Sequence, residues 1–113
     1  MDSRDIKGKI IEVLENKKAI DINEIEIGNI TTVADYFIVC TGTSKIHIKS
    51  LTDELVKKMK EAGVDYYKVE GYDTALWVLV DYGDVVVHIF NKEYRQFYNL
   101  ERLWADGVFS KIN

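Results

Sequence analysis

Hydrophobic and polar positions recur with two different periods along this chain, and each change of period marks an element. Residues 3 to 18 place Ile6, Ile10, Val13 and Leu14 on one stripe at helical spacing. Ser3 suits the cap of that helix and Asp5 its positive dipole end. Residues 20 to 31 switch to alternation, with Ile25 and Ile27 on one side and Glu24 and Glu26 on the other. That pattern predicts a short half-buried strand near a sheet edge, closed by Gly28-Asn29. Residues 35 to 41, DYFIVCT, form a near-continuous apolar run, as expected of a central strand covered on both faces. Gly42-Thr43-Ser44 leads into a helix over 45–62 striped by Ile48, Leu51, Leu55 and Met59. Thr43 or Ser44 caps it, Gly63 stops it in the left-handed position, and His47 sits in its first turn. Residues 65–70 predict another strand and 71–74 a turn.

The stretch LWVLVDYGDVVVHIF, 76–90, reads as a β-hairpin. With Tyr82 and Gly83 as a two-residue loop, Asp81 faces Asp84, Leu79 faces Val86 and Trp77 faces His88. Alternation then gives one aliphatic face, Val78, Val80, Val85, Val87 and Ile89. The other face mixes Trp77, Leu79, Asp81, Asp84, Val86, His88 and Phe90. It reads either as a docking face, since aromatic anchors among polar groups mark interfaces, or as the solvated face of an antiparallel sheet. A tail helix capped by Asn91 follows, with Tyr94, Phe97 and Tyr98 on one side and Leu100, Leu103 and Trp104 beyond. Residues 107–113 read as a frayed end.

The element order predicts an α/β domain spanning 1–113, with a mixed β-sheet of about five strands and helices mainly on one face. The chain has 113 residues and a net charge of −4. That balance disfavours nucleic-acid binding as the main activity, which needs a basic surface, and is compatible with a basic protein partner. One cysteine, an N-terminus without a signal peptide's apolar core and no run near the ~20 residues of a membrane span point to a cytoplasmic protein.

Chemistry finds little support. His47, His88 and Cys40 lack metal-ligand spacing, and Cys40 lies inside an apolar run, as a small hydrophobe does. Gly42-Thr43-Ser44, between strand and helix, is open to an anion. It lacks a P-loop's lysine and glycine spacing, and no pair of carboxylates is placed to hold Mg²⁺ beside it. The alternative of a nucleotide-binding or nucleotidyltransferase-like enzyme rests on that loop and on fold analogy.

VADYFIVCTGTS (33–44), the helix after it and the 76–104 block ending in YNLERLW resemble the ribosomal silencing factor family, also called RsfS or Iojap-like. The resemblance runs from about residue 5 to 106. It implies an α/β fold similar to nucleotidyltransferases without their active site, no enzymatic activity and no cofactor. It further implies binding to ribosomal protein L-fourteen on the intersubunit face of the large subunit, which blocks joining of the small subunit. Translation, and with it ribosome biogenesis, is thereby repressed under nutrient limitation or in stationary phase; some members form homodimers. The family's partner-binding block falls on Trp77, Asp81, Tyr82, Gly83, Asp84, His88 and Phe90, and its tail motif on Arg95, Tyr98, Leu100, Glu101, Leu103 and Trp104. Its strand-turn motif falls on Ala34, Asp35, Tyr36, Thr41, Gly42, Thr43, Ser44 and His47. The family often has an arginine just before that histidine; Ile46 stands there, so that arginine's contacts do not carry over.

Overall fold

Two strands buried along their whole length, β2 (Tyr36–Thr41) and β5 (Val85–Phe90), lie side by side at the centre of the sheet. Both are runs of β-branched and aromatic residues, which fit a pleated surface packed on both faces. They are the one parallel pair; every other pairing is antiparallel. The computed structural model describes residues 1–113. It adds β1 (Ile20–Glu26), β3 (Lys68–Glu70), β4 (Trp77–Asp81) and β6 (Val108–Lys111), in the order β3-β4-β5-β2-β1-β6.

The two long helices, α1 (Ser3–Asn16) and α2 (Lys45–Glu61), cover one face. Ile10, Val13 and Leu14 of α1 and Ile48, Leu51, Leu55 and Met59 of α2 supply the predicted stripes, all buried against Ile38, Cys40, Val80, Val87 and Ile89. Each such fully buried aliphatic side chain contributes about 1.5–3 kcal/mol of transfer free energy. Cys40 is a free, fully buried thiol, and burial pushes its pKa up to about 12. The opposite face carries a smaller core of Ile25, Ile27, Phe37, Val39, Val86 and Phe90. It is roofed by Leu100 of the short helix α4 (Leu100–Leu103), which follows α3 (Lys92–Tyr98).

Four expectations change. The cap of α1 is Asp2 rather than Ser3: its carboxylate accepts the Asp5 N–H at 3.0 Å while Asp5 accepts from Asp2, a reciprocal box. The hairpin turns one residue later than Tyr82-Gly83. Tyr82 N–H donates to the Val85 carbonyl at 2.9 Å, so Gly83 and Asp84 form the loop. Gly83 takes the positive φ of +86° that the first loop position demands, and the Asp81 carboxylate accepts its N–H at 2.7 Å. Asp81 therefore faces Val86, and the predicted Asp81–Asp84 opposition is absent; the two faces survive, because partners shift by an even number.

The end read as frayed is a strand. Val108 to Lys111 pair with Glu26 to Asn23, making six strands and placing β1 one in from the edge. All four residues are exposed, so no apolar alternation announced them. Their approach depends on Gly107, where a Cβ would lie 2.8 Å from Ile25 Cγ2 and 2.9 Å from the Glu26 carbonyl oxygen. Finally, β3 keeps only Lys68–Glu70 of the expected 65–70.

Candidate protein-docking surface

The tail is built by two asparagines. Asn91 caps α3 by accepting the Tyr94 N–H at 2.8 Å. Asn99 ends it in the left-handed region, φ 48°, then caps α4 through Arg102 N. Asparagine is among the few non-glycine residues that visit this region routinely. The bend returns the chain over the sheet, so Leu100 is buried and Trp104 packs edge-on against Phe37 at 5.5 Å.

A continuous aromatic surface results. Trp77, half-buried at the start of β4, stacks on Phe90 at 4.9 Å and meets Tyr98 at 4.8 Å. Tyr98 in turn meets Phe97 at 5.1 Å and Tyr94 at 5.8 Å. Phe97 is 81% exposed and Leu103 71%. Large apolar side chains this open, gathered on one short tail, make this a candidate interaction surface rather than core.

Beneath lies His88, 4% exposed. The Trp77 indole N–H donates to its Nδ1 at 3.1 Å, which places the imidazole's one proton on Nε2. That nitrogen has no hydrogen-bond partner; the ring sits edge-on to Phe37 at 4.7 Å. Burial pulls the His88 pKa down to about 4, so the ring is neutral at physiological pH.

The predicted site residues divide into groups. Trp77 and Tyr98 meet at the open end of the hairpin, while Trp104 packs on Phe37, which pairs with Val86 nearer the turn, and Leu103 is exposed on α4. His88, Phe90 and Leu100 are too buried to meet a partner; they support the surface. Asp81, Gly83 and Asp84 are at the turn, the other end of the hairpin. Tyr82 belongs to the opposite core, beneath α1 and α2, where burial raises its phenol pKa and leaves its hydroxyl unpartnered. Arg95 and Glu101 face each other inside the tail at 3.2 Å. Phe97 and Tyr94 were missing from the expected site. Their signal was present in the tail helix, three aromatics on one side with no apolar partner left to cover them.

The glycine loop is spent on structure. The Thr43 N–H donates to His47 Nδ1 at 2.9 Å, and His47 Nε2 lies 2.9 Å from the Lys17 carbonyl, tying α2 to the end of α1. Ser44 is the cap, accepting from His47 N–H. A Cβ at Gly42 would lie 2.5 Å from Ile48 Cγ1, so this glycine admits the helix to the sheet. A polar groove of about 1020 Å³ opens beside it, lined by Asp21, Lys45, Lys92, Glu93, Arg95 and Lys111 among others. No three His, Cys, Asp or Glu side chains converge there or elsewhere as metal ligands would, and no helix is long and apolar enough to cross a membrane.

Comparison with known proteins agrees with the fold and the blocks. The model of the family described as ribosomal silencing factor during starvation matches residues 1–113. The ribosomal silencing factor RsfS of Bacillus subtilis is 42% identical over 88% of this chain and 84% of its own length. A crystal structure of a Chromobacterium violaceum protein superposes with a TM-score of 0.90 at 41% identity, covering 93% of this chain and 88% of that one. The mouse mitochondrial assembly of ribosomal large subunit protein 1 is 35% identical over 85% of this chain and 43% of its own. The chain belongs to the ribosomal silencing factor family.

Proposed function

We propose that this protein is a non-enzymatic ribosome-docking factor of the cytoplasm. It seats its aromatic tail surface on ribosomal protein L-fourteen of the large subunit and keeps the small subunit from joining. Family membership and the name of the mouse relative support the ribosome and its large subunit as the target. The observation that carries the reading is the exposed Phe97, in contact with Tyr98 and through it with the Trp77–Phe90 stack, together with the exposed Leu103 on the same tail. Such aromatic anchors hold most of an interface's binding energy.

The mechanism is exclusion by volume. A body 35 × 34 × 24 Å across cannot lie on an intersubunit face while a second subunit makes atomic contact with it. A net charge of −4 complements a basic ribosomal protein and speeds encounter. On this reading translation falls as free subunits accumulate; the family description supports silencing of the ribosome during starvation.

Sedimentation of purified subunits tests this. Added protein is expected to shift joined ribosomes to free subunits and to travel with the large one. Full joining at saturating protein overturns the proposal, as does docking untouched by Phe97→Ala together with Leu103→Ala. The same surface also fits a second copy of the chain. Self-association through it, read by light scattering, is expected to compete with docking.

A further inference from the structure

The helix α3 is seven residues long and buries none of them. Isolated helices shorter than about 12–15 residues are marginal in water, so α3 needs an external tie. Arg95 provides it. Its Nη1 donates to Thr41 Oγ1 at 2.9 Å, and its Nε donates to Glu101 Oε2 at 3.2 Å. Only 11% of the Arg95 side chain is exposed. Thr41 is the last residue of the central strand β2, and Glu101 lies in α4. One guanidinium thus joins the sheet to both short helices, and its bond to Thr41 is the only hydrogen bond between residues 92–103 and the sheet.

We propose that Arg95 is a positioning residue for docking: its fork between Thr41 and Glu101 sets the angle of α3 and α4 to the sheet, so that Phe97, Tyr98 and Leu103 present one surface. This inference rests on the docking function proposed above. The family resemblance implied partner contact for Arg95 and Glu101; in the structure they are bonded to each other, and Arg95 to Thr41, along the wall of the polar groove. The planar guanidinium reaches two acceptors in a fixed orientation, which a lysine ammonium on its flexible stem does not. A buried cation also holds its place only while its partners remain, since an unpaired buried charge is costly. Trp77 and Tyr98 meet in a tilted ring contact, but contacts of this kind tolerate sliding, whereas the fork fixes a direction.

Thr41→Val is the decisive variant. It is nearly isosteric and suits a strand. At 9% exposure Thr41 is too buried to contribute a surface contact. Only the acceptor for Arg95 is removed. Thr41→Val is expected to weaken binding to purified large subunits by about tenfold, the scale of one hydrogen bond to a charged group. Thr41→Ser is expected to bind as the parent does. Amide exchange across 96–104 is expected to quicken in Thr41→Val while the β2 and β5 amides keep their protection, which a general loss of stability does not produce. Arg95→Lys, with charge kept and fork lost, is expected to follow Thr41→Val. Phe97→Ala serves as the interface control and is expected to weaken binding with tail exchange unchanged.

If Phe97→Ala weakens binding but Thr41→Val and Arg95→Lys do not, the positioning role is overturned and the docking surface stands. Equal losses in Thr41→Val and Thr41→Ser overturn it too, because the hydroxyl is then not the link. Weakened binding in Arg95→Lys with unchanged tail exchange makes Arg95 a direct contact and overturns positioning. Binding indifferent to all these variants removes the docking surface and this inference with it.

Discussion

Trp77 donates its indole N–H to Nδ1 of His88, 3.1 Å away on the diagonal between β4 and β5. A half-exposed ring is thereby held in orientation by a buried one. The bond requires Nδ1 to be unprotonated, so the proposed docking surface and the charge state of the core are linked.

That link predicts a pH dependence. The folded pKa of His88, about 4, lies below the ordinary 6.5. The unfolded chain therefore binds the proton more readily across this window. The stability tied to the neutral ring is fully present above about pH 6.5 and is lost as pH falls toward about 4. The slope is at most about 1.4 kcal/mol per pH unit. Urea midpoints measured across the window are expected to fall with pH in the parent and to flatten in His88→Phe. An unaltered slope in that variant assigns the dependence to other groups.

The two ends of the aromatic surface are expected to respond differently to truncation. Trp77→Ala removes a half-buried ring stacked on Phe90 and in tilted contact with His88 and Tyr98, so it is expected to cost about 2 kcal/mol of fold stability as well as docking. Phe97→Ala removes an 81% exposed ring and is expected to leave the unfolding free energy within about 0.5 kcal/mol of the parent. Docking to large subunits is expected to weaken by about 2 kcal/mol in Phe97→Ala. Calorimetry and thermal melts on both variants check the contrast.

Legibility in the sequence followed the range of the signal. The stripes of α1 and α2, the apolar run of β2 and the two faces of the hairpin are periodic over short spans, and each lies in the structure where its period placed it. The turn slipped by one residue because Tyr82-Gly83 and Gly83-Asp84 are equally short loops; Asp81's hydrogen bond to Gly83 N–H decides between them. Strand β6 was illegible because it is exposed and pairs with residues far away in the chain. The mixed face was read as open, yet Val86, His88 and Phe90 are covered by a tail whose fold-back depends on the backbone of one asparagine, Asn99.

Two glycines with the same backbone conformation are expected to behave unlike each other. Gly63 and Gly71 have φ of +85° and +82°. A Cβ on Gly63 meets nothing within 4 Å, so Gly63→Ala costs only the left-handed penalty of about 1–2 kcal/mol. At Gly71 a Cβ would lie 2.1 Å from the Trp77 carbonyl oxygen, and the backbone at the start of β4 must move. Gly71→Ala is expected to cost more than about 3 kcal/mol, with overpacking added to the same strain. Comparable melts for the two variants contradict the close approach.

Cys40 is expected to be silent toward a water-soluble disulfide reagent in the native protein, since its thiol is fully buried with a pKa near 12. Labelling in rising urea is expected to track the unfolding curve. Cys40→Ser, which buries a hydroxyl among aliphatic side chains, is expected to cost about 1–3 kcal/mol. Rapid labelling without denaturant shows instead that the β2 layer opens locally.

The parallel seam between β2 and β5 has a kinetic meaning. Tyr36 cannot find Val85 until α2, β3 and β4 have all been traversed, and late, long-range closure of this kind slows folding. The β4–β5 ribbon has a short turn and can zip early, but its aromatic side stays unsupported until Phe37 and Val39 arrive beside it. The proposed docking surface is therefore completed in one late step, when the middle of the sheet shuts, and a half-folded copy does not yet carry it.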